Sequence, residues 1–138
     1  MSKKFSVGDT YSFTKTVSNE DVIDFARITG DKNPLHLDEE YAKKTMFGKR
    51  IAHGMISAGL ISGAIGMGMP GQGTTYLGQN LNFKKAVGIG DTITVRLTVR
   101  EIIPKSKFDI MKIETVCVNQ NGDVVVDGEA AVIPPKAE

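Results

Sequence analysis

The chain has 138 residues, about the length of one domain with a single hydrophobic core, so we expect one domain over residues 1–138. Its 17 basic and 16 acidic side chains give a formal net charge of +1, which excludes binding of nucleic acid or an anionic membrane through a strongly basic surface. The single cysteine, Cys117, excludes an intrachain disulfide and favours a buried thiol in a reducing compartment. No apolar stretch follows residues 1–4, so we expect no secretory signal and a cytoplasmic protein.

The first part of the chain predicts a strand followed by a capped helix. Residues 10–17 alternate in polarity and are rich in aromatic and β-branched types, which is typical of a strand. Ser18 and Asp21 form the Ser-x-x-Asp variant of a capping box, and apolar residues then recur at helical spacing until Gly30. This pattern predicts a helix over 19–29 that ends at a glycine.

A rigid loop is predicted next. Pro34 has no amide proton and disfavours helical backbone at Asn33, so the first helix cannot continue through residues 31–36. Asp38 is placed to cap a second short helix over 39–45.

The middle of the chain predicts a buried helix. Residues 54–68 combine bulky apolar side chains with glycine, alanine and serine and contain no charged residue, which is typical of a helix with close neighbours. The longer stretch 51–70 matches the length of a membrane span. Five of its twenty residues are glycine and no Trp or Tyr flanks it, so we reject a membrane helix.

The remaining segments are β-like, and Asn121-Gly122 predicts a hairpin turn between the last two. One long helix beside about five mainly antiparallel strands predicts an α+β protein in which the sheet wraps the helix. The predicted strands after the helix cover 74–83, 91–102, 108–118 and 124–133.

Asp31 and His36 are the candidate catalytic residues. Four residues separate them within the rigid loop, so a turn can bring both side chains onto one small target. A carboxylate and a mostly neutral imidazole suit proton transfer to and from water. For an arbitrary Asp and His, a turn-capping carboxylate and a packed ring would be the commoner arrangement.

Two stretches of sequence favour the catalytic interpretation. The run FARITGDKNPLH over 25–36, with Ala42 six residues further on, resembles the signature of the MaoC-like hydratases, the (R)-specific enoyl-CoA hydratase family. The run RIAHGM over 50–55 is similar to that family's entry into its central helix, and the resemblance covers nearly the whole chain. It implies the hotdog fold, in which an antiparallel sheet wraps one long helix.

The resemblance also implies roles for individual residues. Asp31 and His36 match the family's catalytic pair, and Gly54 matches the position whose amide faces the thioester carbonyl as an oxyanion hole. Asn33 is expected to brace the loop, and Ser62 resembles a serine that the family places near its site. From their position at a strand end, the neighbouring basic residues Lys84 and Lys85 are candidates for binding the phosphates of coenzyme A.

The implied activity is reversible addition of water to trans-2-enoyl-CoA, giving (R)-3-hydroxyacyl-CoA, by a homodimer or a dimer of dimers. No cofactor is expected, because the thioester already polarises the alkene. A 3-hydroxyacyl-ACP dehydratase and a non-catalytic acyl-CoA-binding hotdog module remain alternatives. A thioesterase is disfavoured, because hotdog thioesterases lack the Asp-x-Asn-Pro-x-His loop.

Two other patterns are rejected. Asp31, His36 and His53 match no familiar zinc spacing, so we expect no metal. Residues 66–71 satisfy G-x-G-x-x-G, but they follow a helix and contain a proline where a nucleotide-binding helix would begin, so we expect a loop.

Overall fold

The structure, a computed structural model, describes residues 4–136. Residues 1–3 and 137–138 lie outside this range, so the expected domain and the N-terminal sequence are described only in part. The elements in chain order are β1 (Thr10–Thr16), α1 (Asn19–Thr29), α2 (Pro34–Leu37), α3 (Glu39–Lys43), α4 (Gly54–Met67), β2 (Thr75–Gln79), β3 (Asn82–Phe83), β4 (Thr92–Pro104), β5 (Asp109–Val118) and β6 (Val124–Ile133).

The strands form one antiparallel sheet in the order β1-β4-β5-β6-β2, and β3 also pairs with β6. Alternate residues of β4, including Ile93, Val95 and Leu97, are completely buried on the inner face of the sheet. Ile61 and Ile65 of α4 belong to the same apolar cluster, so the core lies between this helix and the sheet. Each such side chain contributes about 1.5–3 kcal/mol by leaving water. The predicted hotdog layout is confirmed.

The predicted strand over 74–83 is wrong in one respect, because the segment forms two strands and the sheet has six strands instead of about five. The chain leaves the sheet at Asn80, whose N–H donates to the Glu129 carbonyl at 3.0 Å and whose side chain accepts from the Glu129 amide at 3.1 Å. The Asn80 carbonyl lies where a Cβ on Gly128 would be, so only glycine fits opposite this bend.

The predicted caps of α1 are confirmed. The Ser18 N–H donates to the Asp21 carboxylate at 2.8 Å, and the Asp21 N–H donates to the Ser18 hydroxyl at 3.1 Å. Gly30 ends the helix in the left-handed conformation, with φ of 80°. The loop over 31–36 is only partly a loop, because Pro34 begins the short helix α2. Proline is favourable at the first helical position, where no N–H is needed.

Other boundaries differ only slightly from the predictions. Helix α3 ends at Lys43, two residues before the predicted end, and the predicted hairpin turn joins β5 to β6 with Gly122 at φ of 81°. Cys117 is completely buried, as predicted, and burial raises the pKa of its thiol to about 12. Among residues 4–136, no helix has both the length and the apolar character needed to cross a membrane.

Helix α4 is buried on one face only, so the predicted buried helix is confirmed for the face toward the sheet and wrong for the opposite face. Ile56, Ile61 and Ile65 face the sheet, whereas Met55 is 51% exposed and Met67 is 72% exposed. The sheet covers one side of the helix, and the amino-acid composition cannot show where that cover ends. We define the open face of α4 by the exposed residues that follow Gly54, which are Met55, Gly59, Ser62, Gly63 and Met67.

Candidate active site

Asp31 follows the left-handed turn at Gly30, which directs the chain away from α1. The Asp31 N–H donates to the Thr29 hydroxyl at 3.1 Å, and the Asp31 carboxylate accepts from the Asn33 N–H at 3.3 Å. The carboxylate is exposed. The turn fixes the main chain of Asp31 while leaving most of the carboxylate's accepting capacity free for a ligand.

Asn33 and Pro34 together start helix α2. The Asn33 side-chain oxygen accepts from the Leu35 N–H at 3.0 Å, so Asn33 is the N-cap of this helix. The cap orients α2, which carries His36. This placement agrees with a bracing function for Asn33, and its influence on activity stays a prediction.

His36 is buried and held by the segment 50–53. Its Nδ1 lies 2.7 Å from the Ile51 carbonyl oxygen, and the Arg50 side chain donates to the His36 carbonyl at 2.7 Å. Because a carbonyl oxygen only accepts, Nδ1 carries the proton in this contact and Nε2 of the neutral ring has a free lone pair. His36 is therefore set up to accept a proton through Nε2.

His53 is the buried residue whose importance was not foreseen in the sequence. Its Nε2 lies 2.9 Å from the Asp31 carbonyl oxygen, and its ring centroid lies 3.9 Å from that of His36 and 4.7 Å from that of Phe25. The sequence alone indicates for His53 only a place in the run RIAHGM and a metal-ligand pattern that its spacing does not support. The contact joins residues 22 positions apart, so no local pattern indicates it.

Gly54 is the first residue of α4. The first N–H groups of a helix have no partner within it and carry part of the positive end of the helix dipole. A Cβ at Gly54 would lie 2.9 Å from two ring carbons of Phe83, so glycine lets this ring pack against the helix start. The Gly54 amide is therefore exposed to a ligand at a point that a larger residue would obstruct.

A cavity of about 340 Å³ connects several of these residues. His36 lines this cavity, and a side-chain oxygen of Asp31 and one ring nitrogen each of His36 and His53 lie within 4.8 Å of one another. Two acceptors that share one bridging water at about 2.8 Å each are separated by no more than about 5.6 Å, so a side-chain oxygen of Asp31 and a ring nitrogen of His36 lie within the distance that one bridging water spans. The lining of the cavity consists of His36, Phe47, Ile51, Ala52, Gly54, Ser57, Phe83, Lys84, Lys85, Ala86, Val87 and Val126.

The two candidate lysines both lie on the cavity wall, but their surroundings differ. Lys85 Nζ is 2.7 Å from the Asp123 carboxylate, and this hydrogen bond lowers the pKa of Asp123. Both partners are about half exposed, so the pair contributes little to stability. Lys85 already has an anionic partner, which makes Lys84 the stronger candidate for a ligand phosphate.

The structure does not bring Ser62 to these residues within one chain. Ser62 lies on the open face of α4, about two helical turns or ~12 Å along the axis from Gly54. Its expected position near the site stays a prediction, and a single described chain provides no contact for it to the cavity.

Known proteins share both the sequence and the fold. A family model for the MaoC like domain matches residues 4–121. The chain is 47% identical to the 3-hydroxybutyryl-CoA dehydratase of Methylorubrum extorquens, over 96% of this chain and 82% of that protein. It is 45% identical to the (R)-specific enoyl-CoA hydratase of Rhodospirillum rubrum, over 93% of this chain and 87% of that protein. The unliganded R-hydratase PhaJ1 of Pseudomonas aeruginosa has a TM-score of 0.91 at 44% identity, covering 96% of this chain and 84% of that one.

The fold and the site together define the class. A hotdog sheet around one helix, with a carboxylate and an imidazole meeting beside the helix start, is the arrangement of a hotdog-fold hydro-lyase. The match to the family model and the identity to the relatives also show the family: the chain belongs to the MaoC-like family.

Proposed function

We propose that this protein is an (R)-specific enoyl-CoA hydratase, which reversibly adds water to trans-2-enoyl-CoA to give (R)-3-hydroxyacyl-CoA in fatty acid metabolism. The observation that carries the proposal is the meeting of Asp31 with His36, whose Nδ1 is bonded to a carbonyl and whose ring lines the same cavity as Gly54. The names of the relatives agree with this chemistry.

The reaction follows from the positions of these groups. Asp31 and Nε2 of His36 hold one water, and a proton passes from the water to this pair as its oxygen bonds to the β-carbon. The electron pair of the alkene moves toward the thioester oxygen, where the Gly54 N–H stabilises the enolate charge. A proton from the pair then goes to the α-carbon, so one water is consumed and no other reactant is needed.

The proposal includes no cofactor and no metal. The thioester polarises the alkene, and the helix-start amide stabilises the charge that a metal would otherwise neutralise. One nitrogen of each histidine ring is already engaged with a carbonyl, which leaves one nitrogen per ring for other chemistry. Activity is expected to survive exhaustive EDTA treatment. Loss of activity that one divalent ion restores would contradict this assignment.

The acyl carrier is proposed to be coenzyme A, bound with its phosphates near Lys84. A 3-hydroxyacyl-ACP dehydratase would use the same catalytic pair, so the test is kcat/KM for matched CoA and ACP thioesters. Lys84→Ala should raise KM for the CoA substrate, while Lys44→Ala, a matched change of an exposed lysine outside the cavity lining, should leave KM unchanged. A non-catalytic module would bind enoyl-CoA tightly without turnover.

The open face of α4 supports a further part of the proposal, which is a homodimer or a dimer of dimers. Strand β2 is an edge of the sheet and leaves Tyr76 38% exposed and Leu77 50% exposed. Unpaired edges and apolar faces favour self-association. Sedimentation equilibrium measures the assembly directly. We also propose a cytoplasmic location, which the buried free thiol of Cys117 supports.

The decisive experiment is hydration of crotonyl-CoA and of one longer enoyl-CoA, followed by chiral analysis of the product. The proposal expects the (R)-3-hydroxyacyl product. A predominantly (S) product would contradict the stereochemical assignment, and binding without hydration would establish the non-catalytic alternative.

A further inference from the structure

His53 contacts both candidate catalytic residues without lying on the cavity wall. Its ring packs against the ring of His36, and its Nε2 lies 2.9 Å from the main-chain oxygen of Asp31. Phe25 of α1 also packs on this ring, and the side chain is only 2% exposed. His53 therefore joins the two ends of the Asp31–His36 segment to the start of α4.

The hydrogen-bond partners determine the form of the His53 ring. The Asp31 carbonyl oxygen accepts only, so Nε2 of His53 carries a proton. Nδ1 is buried without a hydrogen-bond partner among the described residues, so a second proton there would create a buried charge with no acceptor. These contacts favour the neutral ring with its proton on Nε2, the opposite tautomer to the one that the Ile51 contact favours for His36.

A purely structural function does not explain this arrangement. His53 occupies the N-cap position of α4, yet its side chain makes no capping hydrogen bond. The buried and unpartnered Nδ1 disfavours folding, and a phenylalanine would fill the site without that disadvantage. The feature that histidine provides and phenylalanine lacks is the N–H that reaches Asp31.

We propose that His53 is a positioning residue: its Nε2–H holds the Asp31 main chain while its ring supports His36, which sets the separation of the carboxylate and Nε2 of His36. The proposal rests on the hydratase function proposed above. The rate of the reaction falls steeply when the catalytic groups are displaced, because the reacting atoms must be aligned before proton transfer. His53 acts through Asp31 and His36 and does not touch substrate.

Two substitutions separate the hydrogen bond from the packing. His53→Phe keeps an aromatic ring and removes the N–H, and we expect kcat to fall about 10- to 100-fold with KM nearly unchanged. The thermal unfolding temperature should stay the same or rise, since the unpartnered nitrogen is gone. His53→Gln restores an N–H donor at similar reach but lacks the ring that supports His36, so it should recover part of the lost kcat. Wild-type kcat in His53→Phe, a loss explained by unfolding, or no recovery in His53→Gln would overturn the proposal.

A second measurement is independent of activity. The chain contains two histidines, so imidazole ¹⁵N spectra of the full-length protein show two ring systems, and His36→Gln assigns them. The expected result at neutral pH is a neutral His53 ring protonated on Nε2 and a His36 ring protonated on Nδ1. Absence of hydration in the wild-type protein would remove the hydratase function, while these spectra would still test the His53 contact. A His53 ring that is charged, or protonated on Nδ1, would overturn the positioning proposal itself.

Discussion

The inner face of the sheet and the candidate active site are stabilised in different ways. Ile93 and Leu97 are completely buried, and each packs among many apolar neighbours of the core cluster. The side chains of Asp31, His36 and His53 are instead held by one hydrogen bond each, in every case to a main-chain atom. Many contacts together stabilise the core, whereas no other contact replaces a hydrogen bond that is lost in the site. Core substitutions should therefore change stability, and site substitutions should change turnover.

The largest effect is expected for truncation in the core. Ile113→Ala on β5 removes a completely buried side chain and leaves a cavity, so the free energy of unfolding should fall by about 2–5 kcal/mol. Ile23→Ala is the matched control, because Ile23 is 49% exposed on α1 and should change stability by about 0.5 kcal/mol or less. Denaturant unfolding measures both. The kcat of the folded Ile113→Ala protein should remain near wild type, and a large loss would show that the core also controls the site.

The catalytic pair should behave in the opposite way. Asp31→Asn and His36→Gln should each lower kcat at least ~10²-fold, the usual scale for positioned acid and base groups. The double variant should be little worse than either single one, since both residues hold the same water. Asp24→Asn, an exposed carboxylate on α1, is the matched control and should leave kcat unchanged.

Thermal unfolding of these variants should differ little from wild type, because the caps at Ser18 and Asn33 do not use the catalytic side chains. Near wild-type turnover in either single variant would return Asp31 and His36 to the turn-capping and packing functions that such residues commonly have.

A smaller loss is expected at the helix start. In Gly54→Ala the new methyl group meets the Phe83 ring, which must move toward the cavity, and we expect kcat to fall about tenfold. Gly66→Ala makes the same change in the same helix where nothing lies within 4 Å, so its activity should be unchanged. Steady-state kinetics compares the two. Equal activities would show that the Phe83 ring is free to move without affecting the Gly54 amide.

The smallest effect concerns pH. The Ser18 backbone N–H bond, with help from Lys15, lowers the pKa of Asp21 below its usual 3.8. A lowered folded-state pKa stabilises the protein above the unfolded-state pKa, and this stabilisation disappears as pH falls through the folded-state pKa. The free energy of unfolding of the wild type should therefore decrease more below about pH 4 than that of Asp21→Asn. Parallel pH dependences in the two proteins would contradict the link.

The difference between the two regions also explains which features the sequence predicts. Gly30 and Pro34 are local signals, so the turn that brings Asp31 toward His36 is visible in a few consecutive residues. The split of the 74–83 strand depends on the close approach of Asn80 to Gly128, and the function of His53 depends on a contact with Asp31. Neither leaves a periodic pattern, because both are fixed by residues distant in sequence.

The burial of α4 was predicted too broadly for a related reason. Apolar composition shows that a helix avoids water but does not show which surface covers it. Within one chain the sheet covers the Ile61 side, and the side with Met55 and Met67 is left open. Apolar residues recur along a helix in the same way whether they contact the chain's own core or a partner. The sequence therefore does not distinguish the two kinds of apolar face.

This open face has a consequence for how the enzyme responds to dilution. Met55 directly follows Gly54, so the helix whose first residue lines the cavity is also the helix that a second copy would cover. In the proposed dimer, separation of the two subunits would uncover the helix that borders the cavity. The fraction of separated subunits depends on enzyme concentration by mass action. Specific activity would fall as enzyme concentration drops below the dissociation constant of the dimer, and saturating substrate would delay that fall by favouring the assembled form.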